Sequence, residues 1–223
     1  MPRKVRRRLP RQRREHKVEA NCRQGRNYED YLHYLEKHPG LNAVQMDTVV
    51  GCADSRKVLL TLYWPQAQFL LIRLRERNTA RSVCNCFDEL EMILGIKSFR
   101  KLFPLCLTDN GSEFSQPSAL EQHDRTFIFY CDPLMSNQKA ELERDHQFIR
   151  AVCPKGTSFD NLEQTDLDLL ASHVNSYCRP SLGDKTPYEI FECIFGTTVL
   201  GQLGIQRIPP DDICLKPALL SRR

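Results

Sequence analysis

Apolar and polar positions follow two periods along the 223-residue chain. Residues 43–51, AVQMDTVVG, form a short apolar run that predicts a strand. Residues 57–64, KVLLTLYW, and 69–76, FLLIRLRE, predict two more, on either side of the turn Pro65-Gln66-Ala67-Gln68. Three such runs joined by short links predict an antiparallel meander. Helical spacing appears first over residues 27–37, where Tyr28, Tyr31, Leu32 and Leu35 follow an Asn27 cap and His38-Pro39-Gly40 ends the element. It returns after Asn78-Thr79, with Val83, Phe87, Leu90, Met92 and Ile93 as the expected buried side and Gly95 as the stop.

The second half of the chain continues the alternation. LCLTDN (105–110) reads as a buried strand ending at Asp109, and TFIFYCD (126–132) as another. A helix follows to Val152, with Leu142, Ile149 and Val152 along one face and Cys153-Pro154-Lys155-Gly156 as its breaker. A further helix runs to about Tyr177, capped by Thr165 in a Thr165…Asp168 box, and Lys185-Thr186-Pro187-Tyr188-Glu189 begins a short one that runs to about Phe195. The stretch IQRIPPDDICLKPALL reads as extended and broken by proline. The order β-β-β-α-β-(α)-β-α-α predicts an α/β fold, a mixed sheet with helices on both faces, which several α/β architectures share.

Charge changes this picture at one end. Residues 1–26 hold eleven Lys or Arg and two Glu, a net +9, while the remainder is −5. A basic arm on an acidic body fits a contact with a phosphate backbone, through Arg6, Arg7, Arg8, Arg13 and Arg14 among others. The blander reading is a linker, and a linker that tracks DNA would look the same. No apolar run approaches the ~20 residues that span a bilayer, and no apolar segment follows the basic stretch as a secretory signal requires. A cytoplasmic, nucleoid-associated protein without a membrane partner is the expectation. The ten cysteines are scattered singly apart from Cys84 and Cys86, with no paired CxxC knuckles, so they read as reduced thiols acting as small hydrophobes.

Three carboxylates stand out by position. Asp47 interrupts an otherwise apolar strand, where burial costs energy unless a partner offsets it. Asp109 ends a strand, the place where α/β sheets bind ligands. Glu143 lies on the helix that follows, 34 positions after Asp109. Glu141 and Asp145 are also candidates, but at about 100° per residue they point away from Glu143. Lys139, Glu143, His146 and Arg150 share one stripe, a sensible face for a metal site beside a DNA backbone. Taken alone, that stripe reads better as a solvated helix face. Three hard oxygen donors suit Mg²⁺ or Mn²⁺, and two such ions about 3.5–4 Å apart can activate a nucleophile and stabilise a leaving oxygen in phosphoryl displacement.

MDTVVG around Asp47, LTDNGSEF around Asp109, the run FYCDPLMSNQKAELERDHQFIRAVCPKGTSF and NSYCRPSLGDKTPYEIF together resemble the insertion-sequence-30 family of bacterial transposases, from about residue 20 onward. The resemblance implies an RNase H-like five-stranded mixed sheet and DDE chemistry with two Mg²⁺ or Mn²⁺ ions. Asp47, Asp109 and Glu143 then serve as catalytic metal ligands, and DNA, both transposon ends and target, as the partner of a homo-oligomer. Lys139, His146 and Arg150 join the arm as DNA contacts. Asn110 and Gly111 fall in the family's turn after the second Asp, with Gly111 allowing close backbone approach and Glu113 a secondary, structural candidate. The expected organisation is a basic arm at 1–26, a short leading helix at 27–40, the catalytic core at 41–195 and an extended tail at 196–223. Family members usually carry helix-turn-helix regions ahead of the core, and none precedes the arm, which implies a fragment or truncated reading frame. Metal-dependent strand cleavage and transfer at insertion-sequence ends is the leading expectation. The alternatives are a truncated, non-catalytic DNA-binding or inhibitory transposase fragment and a general RNase H-like nuclease.

Overall fold

A computed structural model describes residues 21–133 and 135–220. The five arginines singled out in the arm, Arg6, Arg7, Arg8, Arg13 and Arg14, lie outside them. Helix α1 (Tyr28–Lys37) starts on Asn27, whose side chain accepts from the Asp30 amide while Asp30 returns the bond to the cap, a complete capping box. Strands β1 (Val44–Val50), β2 (Val58–Trp64) and β3 (Phe69–Arg75) form the expected meander, with Asp47 opposite Thr61. Every residue of β2 is buried. Because successive strand side chains point to opposite faces, the sheet is covered on both sides there.

Helix α2 (Ala80–Leu94) opens on Thr79, whose hydroxyl accepts from the Ser82 amide, and stops at Gly95. Val83, Phe87, Leu90 and Leu94 are buried, but Met92 is 80% exposed and Ile93 36%. The buried positions advance by four, three and four residues. Met92 and Ile93 fall off that phase, so their apolarity did not place them inside. Helix α3 (Ile96–Leu102), absent from the sequence reading, then brings Phe99 and Phe103 against Phe87 and Trp64.

Strand β4 (Cys106–Thr108), the short helix α4 (Pro117–Leu120) and strand β5 (Ile128–Tyr130) follow. The sheet order is β3-β2-β1-β4-β5, with β1, β4 and β5 mutually parallel. Helix α5 (Ala140–Val152) packs along β1, and Leu142, Ile149 and Val152 are buried as expected. Helix α6 (Gln164–Ser176) lies on β3. Its cap is Glu163 in a box with Asp166, not Thr165 with Asp168. The helix begins earlier because Gln164 is already committed to the sheet, its amide bonding Leu74 N at 2.8 Å and Ile72 O at 2.9 Å.

Helix α7 (Pro187–Phe195) has the Thr186–Glu189 box, and Phe191 stacks on Phe69 at 3.9 Å. The region read as an extended tail contains helix α8 (Thr197–Gln202) and two 3-10 turns, with Leu200, Leu203 and Ile205 buried. All ten cysteines are free and six are buried.

Both margins of the sheet are occupied, one by side chains and the other by a side chain and a main-chain carbonyl. On β3, Asn175 donates to Leu70 O at 2.7 Å and accepts from Leu70 N at 2.9 Å, and Gln164 serves Ile72 and Leu74 in the same way. On β5, Glu121 accepts from Ile128 N, the Arg26 carbonyl accepts from Tyr130 N, and the Arg26 guanidinium pairs with Glu121. Residues 21–26 are therefore held against the core rather than forming the end of a loose arm. No helix among the described residues is long and apolar enough to cross a membrane.

Candidate metal centre

The parallel ladder between β1 and β4 pairs Val44 with Cys106 and Gln45 with Leu107. Carrying that register on by two residues sets Asp47 level with Asp109. Strand β4 ends one residue before Asp109, while β1 continues alongside β2, so the two carboxylates stand where neighbouring strands part. Asp47 Oδ1 accepts from Thr48 N at 2.7 Å, and its Oδ2 lies 3.4 Å from the Lys139 ammonium. Burial pushes the Asp47 carboxyl above its ordinary range; Lys139 opposes this, and the charge of Asp109 adds to it.

The turn after Asp109 is shaped by close approach. Gly111 N donates to Asp109 Oδ1 at 2.9 Å. Its φ of −59° is ordinary, yet a Cβ there would lie 2.6 Å from Glu113 Oε2 and 3.0 Å from Asp109 Oδ1. Glycine here leaves room between two carboxylates rather than serving an unusual dihedral. Asn110 donates from Nδ2 to Cys131 O at 2.8 Å, and its own carbonyl accepts from Arg23 at 2.7 Å.

Helix α5 presents its charged stripe to the sheet. Lys139, at the helix N-cap, is 4% exposed and donates to Met46 O at 2.9 Å. His146 Nε2 lies 2.9 Å from Thr61 Oγ1, and the same hydroxyl donates to Asp47 O at 3.1 Å, so the ring nitrogen is the donor. Burial, then the charges of Lys139 and Arg150, push the His146 pKa down to about 4, which keeps the ring neutral near pH 7. Arg150 donates to Val50 O at 3.0 Å. These three side chains, expected at a DNA backbone, here bond to β1, which carries Asp47, and to its neighbour β2.

Glu143 shares their stripe, but its carboxylate is exposed and makes no hydrogen bond or ion pair. The structure thus brings Asp47, Asp109 and Lys139 together and does not bring Glu143, four positions after Lys139, into their group. Among the described residues, no three His, Cys, Asp or Glu side chains stand close enough to hold a metal ion. Asp145, one of the two other helix acids considered, is bound to a partner of its own. It makes two 3.1 Å bonds to Arg179, whose guanidinium lies 4.4 Å from the Phe148 ring centre.

Three neighbours escaped the sequence reading. Thr61 is visible only through strand register. Arg23 was submerged in a run of like charges. Cys131 follows β5 beside the acids: burial pushes its thiol up to about 11, Lys139 opposes this, and Asp109, Asp132 and Asp47 add to it. The two level carboxylates supply hard oxygen donors, which fit Mg²⁺ or Mn²⁺ better than thiophilic ions.

No family model matches the chain. The "Putative integrase ORF3" of Spiroplasma virus SpV1-R8A2 B is 29% identical over 148 residues, 66% of this chain and 45% of that protein. Transposase InsI of insertion element IS30A from Escherichia coli K12 is 32% identical over 84 residues, 38% of this chain and 22% of the relative. The chain thus spans less than half the length of these relatives. Among solved structures, the simian T-cell lymphotropic virus intasome in complex with PP2A regulatory subunit B56 gamma superposes with a TM-score of 0.52. That match covers 75% of this chain and 56% of the other at 14% identity. The likeness fixes the fold as RNase H-like.

Proposed function

Starting from a chain related by sequence to the insertion-sequence transposases of the DDE type, we propose that its core cleaves and joins DNA strands at insertion-sequence ends, acting as a homo-oligomer on DNA. Asp47 and Asp109 would hold divalent cations, Mg²⁺ or Mn²⁺, and Glu143 would complete the set once its exposed side chain turns along the stripe. Bound in pairs, such ions activate an attacking oxygen and stabilise a leaving one. The protein's own share is placement: Thr48 N and the His146–Thr61 relay fix Asp47, and Gly111 N fixes Asp109. The observation that carries this reading is the β1–β4 register that sets Asp47 level with Asp109 at the parting of the strands.

The test is a cleavage and joining assay on DNA carrying the ends of the chain's own element, with Mg²⁺ or Mn²⁺. The natural chain is expected to join strands, while Asp109→Asn and Glu143→Gln fall to background with folding intact. Metal-dependent joining by Asp109→Asn contradicts the assignment. A second reading, a non-catalytic DNA-binding or inhibitory form, draws on the Lys139–Asp47 ion pair and the separation of Glu143. It predicts DNA binding without joining in every variant.

A further inference from the structure

Lys139 carries a charge that the surrounding fold has no packing reason to bury. Its side chain is 5% exposed, and an ammonium there costs several kcal/mol of desolvation unless partners offset it. It has two: the Met46 carbonyl at 2.9 Å and Asp47 Oδ2 at 3.4 Å. Asp47 in turn feels the charge of Asp109, and a nearby cation favours the ionised form of adjacent carboxylates. Lys139 supplies that cation from within the chain.

The contact is built to give way. Charge-assisted N–H···O bonds lie near 2.7–2.9 Å when optimised, and the Lys139–Asp47 separation of 3.4 Å is well beyond that. Lys139 also sits at a joint: it closes the 3-10 turn Ser136–Lys139 and is the N-cap of α5, with φ −129° and ψ 29° and no side-chain cap bond. A divalent ion would bring twice the charge of an ammonium into direct contact with a carboxylate oxygen, so its Coulombic attraction to Asp47 would exceed that of an ammonium held at 3.4 Å.

We propose that Lys139 is a built-in counter-cation of the acid pair, which a divalent ion must displace from Asp47 in order to bind. This rests on the metal-site reading above and adds an exchange step to it. The full chain is probed with Mn²⁺ in two measurements. In the first, amine acetylation is followed residue by residue by mass spectrometry. Lys139 is expected to be protected without Mn²⁺ and to react severalfold faster at saturating Mn²⁺, while exposed Lys155 is unchanged. In the second, calorimetry is expected to show Lys139→Gln binding Mn²⁺ on the order of tenfold tighter than the natural chain, and Lys139→Arg no tighter. Mn²⁺ binding with Lys139 still protected, or weaker binding by Lys139→Gln, overturns the inference and leaves the metal-site reading standing. No Mn²⁺ binding to either the natural chain or Lys139→Gln overturns both.

Discussion

The two halves of the sheet are built to different rules. In the meander, β2 and β3 are seven residues each, and β2 is buried throughout. In the parallel half, β4 and β5 are three residues each. The long half supplies the apolar area that holds the molecule together. The short half ends early, and by ending early it frees Asp109 and Cys131 at the point where β1 runs on without a partner on that side. Strand β1 belongs to both halves, and Asp47 lies just past the last residue it pairs with β4. Stability and chemistry are thereby separated along one sheet, and substitutions in the two halves should separate in the same way.

The sharpest break would come in the meander. Leu60→Ala, at a fully buried position on β2, is expected to cost about 2–5 kcal/mol in denaturant unfolding. A loss below about 1 kcal/mol would mean the long half is not the stabilising one. The link between the halves is next. His146 is held neutral by a pKa lowered from 6.5 to about 4, so between those values the unfolded chain binds more protons than the folded one. The stabilisation is therefore complete above about pH 6.5 and is lost as pH falls toward about 4. The full loss is about 3 kcal/mol. Urea unfolding across that window should show a shallower decline for His146→Gln than for the natural chain, and parallel curves would remove His146 from the account. The smallest stability effect belongs to the turn after β4. The added methyl of Gly111→Ala meets the mobile end of Glu113, which can swing aside, so unfolding should change by less than about 1 kcal/mol. Mn²⁺ affinity should nevertheless fall, because the same methyl crowds Asp109 Oδ1 at 3.0 Å. Unchanged Mn²⁺ affinity would detach Asp109 from the metal site.

The meander, the helices α1, α2 and α7 and the anomaly of Asp47 were legible because each is a local signal: a period, an opening or closing residue, a charge inside an apolar run. Directions were less legible. Lys139, His146 and Arg150 were rightly placed on one stripe, but a stripe has no sign: periodicity does not say whether it meets water or protein. Here the strands offer acceptors at Met46 O, Val50 O and the Thr61 hydroxyl, and Lys139, Arg150 and His146 turn inward to them. Met92 and Ile93 were misjudged for the converse reason, apolar character outweighing helical phase. The Glu163 cap lost to Thr165 because Thr is the commoner capping residue, and the tie between Gln164 and β3 is a long-range contact that no local pattern encodes. The docking of Arg23 and Arg26 is long-range too, reaching Asn110 and Glu121.

The amide and carboxylate side chains along the outer backbones of β3 and β5 have a consequence for how copies of the chain could meet. Asn175 and Gln164 imitate a neighbouring strand on one border, and Glu121 with Arg26 does so on the other. A second molecule cannot extend the ladder at either border without first evicting them, leaving buried donors and acceptors unpaired at about 1–3 kcal/mol apiece. Any assembly is thereby steered to helix and loop surfaces, and the route by which exposed strand margins recruit one another into fibrils is closed from both directions.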